Sequence, residues 1–163
     1  MPLITVDGFK PDTFAMVADD APLPEDGGAI VSLSRFRKDR DTLLARNAPI
    51  GVRLKAEESP EQLGEDVDRF SVVALEFPKF RDGRAFSWAR QLRTRLHFQG
   101  EIRAVGDFLY DQLAYQHRVG FSAWEVPENF NIDDLRRALS EIGNVYQPSS
   151  DGRKTIRELR AGL

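Results

Sequence analysis

Cysteine is absent from all 163 residues, and only two histidines are present, His97 and His117. The first absence excludes disulfides, thiolate chemistry and any zinc or iron–sulfur centre held by cysteine. The two histidines match no metal-binding spacing, so we expect neither a metal nor a bound cofactor. The glycine-rich loops that bind dinucleotides or nucleoside triphosphates are also missing, which argues against a nicotinamide enzyme and an NTPase alike.

Strong net charge and long apolar runs are lacking as well. The formal net charge is -3, so no overall field attracts the chain to nucleic acid or to an anionic membrane. No apolar run approaches the ~18 residues that a membrane span needs. The first residues do not show the basic-then-apolar layout of a secretory signal. We therefore expect a cytoplasmic protein with no nucleic-acid or membrane partner.

The composition is that of one globular domain with flanking segments. Apolar residues make up 41% of the chain, enough to bury a core. Residues 1–28 are rich in proline, glycine and carboxylates, which predicts an N-terminal lead-in that contributes at most an edge strand. Residues 29–148 form the predicted α/β domain, and residues 149–163 are a basic C-terminal tail.

Short apolar runs alternate with helical patterns along the domain. The predicted strands cover residues 29–33, 50–54, 72–77, 102–105, 123–126 and 144–147. Helices are predicted at residues 35–46, from Ser59 onward, at 86–96, after Asp107 and at 132–142. This alternation predicts a mostly parallel sheet with flanking helices. Six strands favour an open three-layer α/β/α sheet, whereas a barrel would be incomplete unless the lead-in contributed strands.

Charged residues crowd two junctions where a predicted strand ends and a helical pattern begins. The carboxyl ends of parallel strands share one edge, so we expect these junctions to converge. Between residues 79 and 107 seven cations face three anions, although the whole chain is acidic. Guanidinium groups bind oxyanions bidentately, so we predict an anion-binding site at this edge. Its candidate residues are Lys79, Arg81, Asp82, Gly83, Arg84, Arg103, Gly106, Asp107, Asp111 and Gln112.

Three charged strand residues allow more than one interpretation. Arg103 lies inside a short strand, where a charge needs either a bound ligand or an internal partner such as Asp107, Asp111 or Glu76. Glu76 and Glu125 occupy late positions in two strands, where paired carboxylates could do acid–base work or could pair with the arginines. The sequence assigns no catalytic residue.

Six short motifs follow one another in this region. They are Phe-Pro-Lys-Phe at 77–80, Asp-Gly-Arg at 82–84, Ala-Arg-Gln-Leu-Arg at 89–93, Gly-Glu-Ile-Arg-Ala-Val-Gly-Asp at 100–107, Asp-Gln-Leu at 111–113 and Gly-Phe at 120–121. Their order closely resembles a bacterial family catalogued as domain of unknown function 934. The resemblance implies a link to assimilatory sulfite reduction, because members tend to be encoded beside the sulfite reductase and are labelled as oxidoreductases of that process. Val119 stands where we expect a cysteine in relatives, so an obligatory thiol step at that position is excluded.

Three functions follow as hypotheses. The favoured one is an accessory protein of sulfite reduction that binds sulfite reductase or another enzyme of sulfur assimilation and carries an oxyanion site. The second is a small-molecule enzyme that acts on sulfite, sulfate or a phosphorylated sulfur metabolite. The third is a homodimeric scaffold without a ligand. Whether the protein catalyses any reaction stays open.

Overall fold

The computed structural model describes residues 1–141 and 143–162. Its strands are β1 (Leu3–Thr5), β2 (Gly8–Lys10), β3 (Phe14–Met16), β4 (Gly28–Ser32), β5 (Ile50–Leu54), β6 (Val72–Phe77), β7 (Glu101–Gly106) and β8 (Ala123–Glu125). Its α-helices are α1 (Leu33–Lys38), α2 (Arg40–Leu44), α3 (Arg84–Thr94), α4 (Leu113–Val119), α5 (Ile132–Glu141) and α6 (Ile156–Arg160). Two 3-10 segments, Pro60–Arg69 and Tyr110–Gln112, complete the connections.

All eight strands belong to one mixed sheet, in the order β2-β1-β8-β7-β6-β5-β4-β3. From β3 to β8 each strand pairs in parallel with the next strand in sequence, whereas β1 pairs antiparallel with both β2 and β8. Crossover connections between parallel strands are almost always right-handed. When each strand lies beside the next strand in sequence, all such crossovers pass over the same face of the sheet. The strand order therefore places the helices on one side.

The two faces of the sheet are covered differently. One face, the helix face, carries residues such as Val31, Val52 and Leu75, which share a core cluster with the helical residues Leu92 and Leu113. The opposite face, the inner face, carries a second cluster of Ile30, Val72, Ala74 and Val105, with Phe14 packed against it. All of these are strand residues. Alternation of side chains along each strand produces this separation.

The sheet is strongly curled, because only three residues connect its two edge strands. Lys10 ends β2 and Phe14 begins β3, at opposite ends of the strand order. Four residue steps reach at most about 14 Å. Seven interstrand gaps would span about 34 Å in a flat sheet. The sheet must therefore bend into a half-barrel whose concave side is the inner face. The mostly parallel α/β class is confirmed, but the open three-layer arrangement is not confirmed.

Most predicted elements are present, with some corrections. Five of the six predicted strands correspond to β4 to β8. Residues 144–147 are not a strand, and the sheet explains why: the outer edge of β8 is already paired with β1. The predicted helix at 35–46 is divided into α1 and α2 at Asp39. The chain from Ser59 is a 3-10 segment that Gly64 interrupts with non-helical backbone angles. Helix α5 was expected to reach Ile142, which lies outside the described residues.

The two flanking segments take part in the packed structure. Residues 3–16 supply β1, β2 and β3, which include both edges of the sheet. In the tail, Thr155 and Glu158 form a capping box that starts α6, and the amide of Ile156 donates to the carbonyl of Val145. In residues 1–141 and 143–162 no helix has the length and apolar character to cross a membrane.

Candidate site at the carboxyl edge of the sheet

The loops that follow β6 and β7 lie side by side. The Asp107 amide donates to the carbonyl of Phe77 at 2.7 Å, and the Phe80 amide donates to Asp107 Oδ2 at 3.4 Å. Gln112 joins the same loops, since its Nε2 donates to the Phe80 carbonyl at 2.9 Å and its Oε1 accepts from the Leu109 amide at 3.0 Å. Asp107 and Gln112 therefore hold the loop after β6 rather than face an open space.

Gly106 makes this close approach of the two loops feasible. Its φ is +99°, a value that residues with a side chain rarely adopt. A Cβ at this position would collide with the carbonyl oxygen of Phe77. Gly83 has an ordinary φ of -88° and forms the N-cap of α3, so its role at the other junction is different.

The loop after β6 lines a shallow, open hollow of about 490 Å³ with Pro78, Lys79, Arg81, Asp82 and Gly83; we call it the loop hollow. Lys79 and Arg81 are exposed, and within the described residues neither takes part in an ion pair. The guanidinium of Arg81 lies over the ring of Phe80, 5.3 Å from its centroid. The hollow therefore presents two cations whose charge no carboxylate compensates.

Asp82 and Arg84, in contrast, neutralise each other. Arg84 Nη2 lies 2.6 Å from Asp82 Oδ2, and Arg84 Nε lies 3.0 Å from Oδ1. The hydrogen bonds from the Arg84 side chain and backbone lower the pKa of Asp82 to about 2. Asp82 Oδ1 also accepts the Arg84 amide at 3.2 Å, which satisfies one free donor at the start of α3.

Arg103 lies away from both junctions, in the middle of the inner face and only 1% exposed. Its Nη1 and Nη2 contact Asp12 at 2.7 and 3.1 Å, its Nε contacts Glu101 at 2.8 Å, and Nη1 lies 3.5 Å from Glu125. Burial opposes its charge, but the hydrogen bonds and charges of Asp12 and Glu101 keep the pKa of Arg103 above its ordinary value.

The structure thus assigns Arg103 an internal role, with partners that differ from those expected. Glu125 is one of the anticipated carboxylates, whereas Asp107, Asp111 and Glu76 are not among its contacts. Asp111 is exposed at the start of a 3-10 turn and does not line the loop hollow. Nothing local in the sequence indicates the partner Asp12, which lies 91 residues away.

A family model described as "Bacterial protein of unknown function (DUF934)" matches residues 51–157. The chain belongs to this family. The matched span contains all of β5 except Ile50, the strands β6 to β8, both junction loops and Arg103, but not the Asp12 to which Arg103 is paired. No curated protein and no solved structure matches the chain.

This DUF934 protein has a second cavity, of about 500 Å³, where the curled sheet opens at the carboxyl ends of β3 to β6; we call it the mouth cavity. Its polar lining consists of Asp19, Ser32, Ser34, Arg53, Lys55, Glu58 and Glu76. Sequence reasoning considered only Glu76. Ser32 and Arg53 lie next to the last residue of two predicted strands, and this position was a signal for the other polar residues of the cavity.

Arg93 is a further residue whose role the sequence pattern did not predict. It lies on α3, where an arginine usually faces solvent, but it is partly buried. Its guanidinium donates to the carbonyls of Phe98, Gly100 and Gly120 at 2.6, 2.9 and 3.0 Å. Burial lowers the pKa of Arg93 from its ordinary value. The residue ties the end of α3 to the turn that closes α4.

Proposed function

We propose that this protein is an accessory protein of assimilatory sulfite reduction that binds a small oxyanion, sulfite or sulfate, in the loop hollow. The observation that carries the proposal is the pair of uncompensated cations, Lys79 and Arg81, on one hollow of about 490 Å³. Arg84, the next cation along the same loop, is instead paired with the carboxylate of Asp82. The link to sulfite reduction comes from the family resemblance, not from the geometry.

An oxyanion suits the loop hollow for two reasons. Hydrogen bonds in which a cation donates to an oxyanion are shorter and roughly twice as strong as neutral ones. The carboxylate of Asp82 would repel an anion if it were free, but Arg84 neutralises it. Lys79 and Arg81 can therefore supply favourable charge without an opposing group of the same hollow.

The surroundings of the loop hollow favour a protein partner. Phe80 and Leu109 are 38% and 43% exposed, and Gln112 bonds to the backbone of both. Aromatic residues and arginine are enriched in protein–protein interfaces, and Phe80 with Arg81 stacked over its ring supplies both. We infer that sulfite reductase, or another enzyme of sulfur assimilation, covers Phe80 and Leu109 and presents carboxylates to Lys79 and Arg81 when no oxyanion is bound.

Calorimetric titration with sulfite and with sulfate tests the oxyanion site. We expect Lys79→Gln/Arg81→Gln to weaken binding at least tenfold, since the loss of two charge-assisted hydrogen bonds exceeds the about 1.4 kcal/mol that a factor of ten requires. The matched control is Lys38→Gln/Arg69→Gln, which removes the same charges from exposed positions outside the hollow and should bind like the wild type. Equal losses in both double variants, or no binding by the wild type, would contradict the proposal.

Co-purification tests the partner. Tagged wild-type protein should retain sulfite reductase or another sulfur-assimilation enzyme from its own cells, and Phe80→Ser/Leu109→Ser should retain less of it. Phe9→Ser is the control, because Phe9 is 56% exposed on the edge strand β2, away from these loops. Equal retention by all three proteins would show that Phe80 and Leu109 are not the contact surface.

A further inference from the structure

We propose that the mouth cavity is a binding site for a small zwitterion of the α-amino acid type. This site is distinct from the loop hollow, and the inference does not depend on the proposed function. The carboxyl end of a curled parallel sheet is where such folds place their ligand sites. The volume of about 500 Å³ lies within the range of small-molecule pockets.

Asp19 gives the mouth cavity an oriented anionic group. Asp19 follows β3, and its carboxylate accepts Ser32 Oγ at 2.5 Å and Ser34 Oγ at 3.1 Å. These hydroxyl groups, Ser32 first, lower the pKa of Asp19, so the carboxylate keeps its charge. Ser32 also accepts the Arg35 amide at 3.0 Å as the N-cap of α1, which holds the hydroxyl in place. An ammonium group of a ligand would find an oriented acceptor here.

The mouth cavity also carries cationic donors. Arg53 lies on β5 and binds Glu76 of β6 through Nε at 3.2 Å and Nη2 at 3.0 Å. Its Nη1 has no hydrogen-bond partner among residues 1–141 and 143–162. Lys55 follows β5; its amide donates to Glu58 at 2.8 Å, whereas its ammonium forms no ion pair with any described residue. Arg53 Nη1 and the Lys55 ammonium are thus two donors available to a ligand carboxylate.

The distribution of charge selects among ligand classes. Charged groups of both signs line the cavity, with Asp19 after β3, Arg53 on β5 and Lys55 just after β5. A purely anionic ligand would bring its charge near Asp19, Glu58 and Glu76, three carboxylates against two cations. A simple amine would leave the cations of β5 without a ligand partner. An α-amino acid carries an ammonium and a carboxylate on the same α-carbon, so it can use both the acceptor of Asp19 and the donors of Arg53 and Lys55.

Calorimetry with the full chain and a panel of the common α-amino acids tests this inference, with the N-acetyl and amide derivatives of the best ligand as matched compounds. The N-acetyl form lacks the positive charge and the amide lacks the negative charge. We expect at least one amino acid to bind and each derivative to bind at least tenfold more weakly. No binding by any amino acid, or equal binding of a derivative, would overturn the inference.

Two variants locate the site and separate it from the loop hollow. Lys55→Met and Asp19→Asn change exposed side chains, so folding should persist, and a melting curve checks this. Each should raise the amino acid Kd at least tenfold and leave sulfite binding unchanged, whereas Lys79→Gln/Arg81→Gln should leave the amino acid Kd unchanged. If the Lys79/Arg81 variant alone abolished amino acid binding, the ligand would belong to the loop hollow and the inference would be wrong.

Discussion

Replacing Arg103 with methionine removes the group that links three carboxylates across the inner face. Arg103 is 1% exposed, and it is the shared partner of Asp12, Glu101 and Glu125. Methionine has a similar flexible stem, so packing against the sheet is largely retained while the charge is lost. Asp12 lies in the three-residue connection between the edge strands, and its ion pair with Arg103 therefore helps to hold the half-barrel closed.

The burial of Arg103 and its partners determines how much stability the Arg103→Met change removes. Removing one partner of a buried ion pair typically costs about 3–5 kcal/mol, because an uncompensated charge remains. Here the three carboxylate side chains are 14% to 30% exposed, so water can partly solvate them after the change. We therefore expect a loss near the lower end, about 3 kcal/mol. For a domain of this size that corresponds to a decrease in Tm of about 6–12 °C.

Urea denaturation followed by tryptophan fluorescence measures this loss in free energy of unfolding. Arg90→Met is the control, because Arg90 is exposed on α3 and should change stability by no more than about 0.5 kcal/mol. Hydrogen exchange should also show faster exchange in β1 to β3 of the Arg103 variant. A loss below about 1 kcal/mol, accompanied by lost sulfite or sulfate binding, would instead mean that Arg103 serves a ligand.

Three further changes have defined outcomes. The pKa of Asp82 is about 2 in the folded protein, and NMR should show it return toward its ordinary 3.8 in Arg84→Gln. Because the folded pKa is depressed, the stabilisation that the Asp82–Arg84 pair supplies is present above pH 4 and is lost as the pH falls through 2. Gly106→Ala should lower the free energy of unfolding, measured by urea denaturation, by more than about 2 kcal/mol, because the new Cβ would collide with the backbone of Phe77 and residue 106 has a positive φ. Gly83→Ala should lower it by less than about 1 kcal/mol. Arg93→Lys retains the charge, but a lysine ammonium cannot bind the three carbonyls together. We therefore expect the free energy of unfolding to fall by about 2–4 kcal/mol in the same assay. An unchanged stability would show that those contacts are dispensable.

Local signals in the sequence were sufficient for the central strands. Residues 72–77 are nearly all apolar and begin with two β-branched valines, as a strand covered on both faces should, and they form β6. The first three strands contain only three residues each, too few for a period of two to be recognised. The false strand at 144–147 had an acceptable local pattern, and only the pairing of β1 with β8 shows that no adjacent edge is free.

The sequence was sufficient to predict that the two junctions converge, but not how their charged residues pair. The junctions after β6 and β7 do lie together, because parallel neighbours end at the same edge. Counting cations between residues 79 and 107 could not tell which were compensated. Arg84 pairs with its near neighbour Asp82, which sequence proximity suggests, but Arg103 pairs with the distant Asp12 and Arg93 binds backbone carbonyls.

The sequence by itself determined the α/β class, the central strands, the absence of cysteine chemistry and the family membership. Each of these depends on residue identity or on patterns within a few positions along the chain. The tertiary structure alone decided the curl of the sheet, the closure of its edges through Asp12 and Arg103, and the presence of the mouth cavity. Those features depend on which strands become neighbours and on which charged groups can reach one another across the sheet, and local periodicity does not encode either.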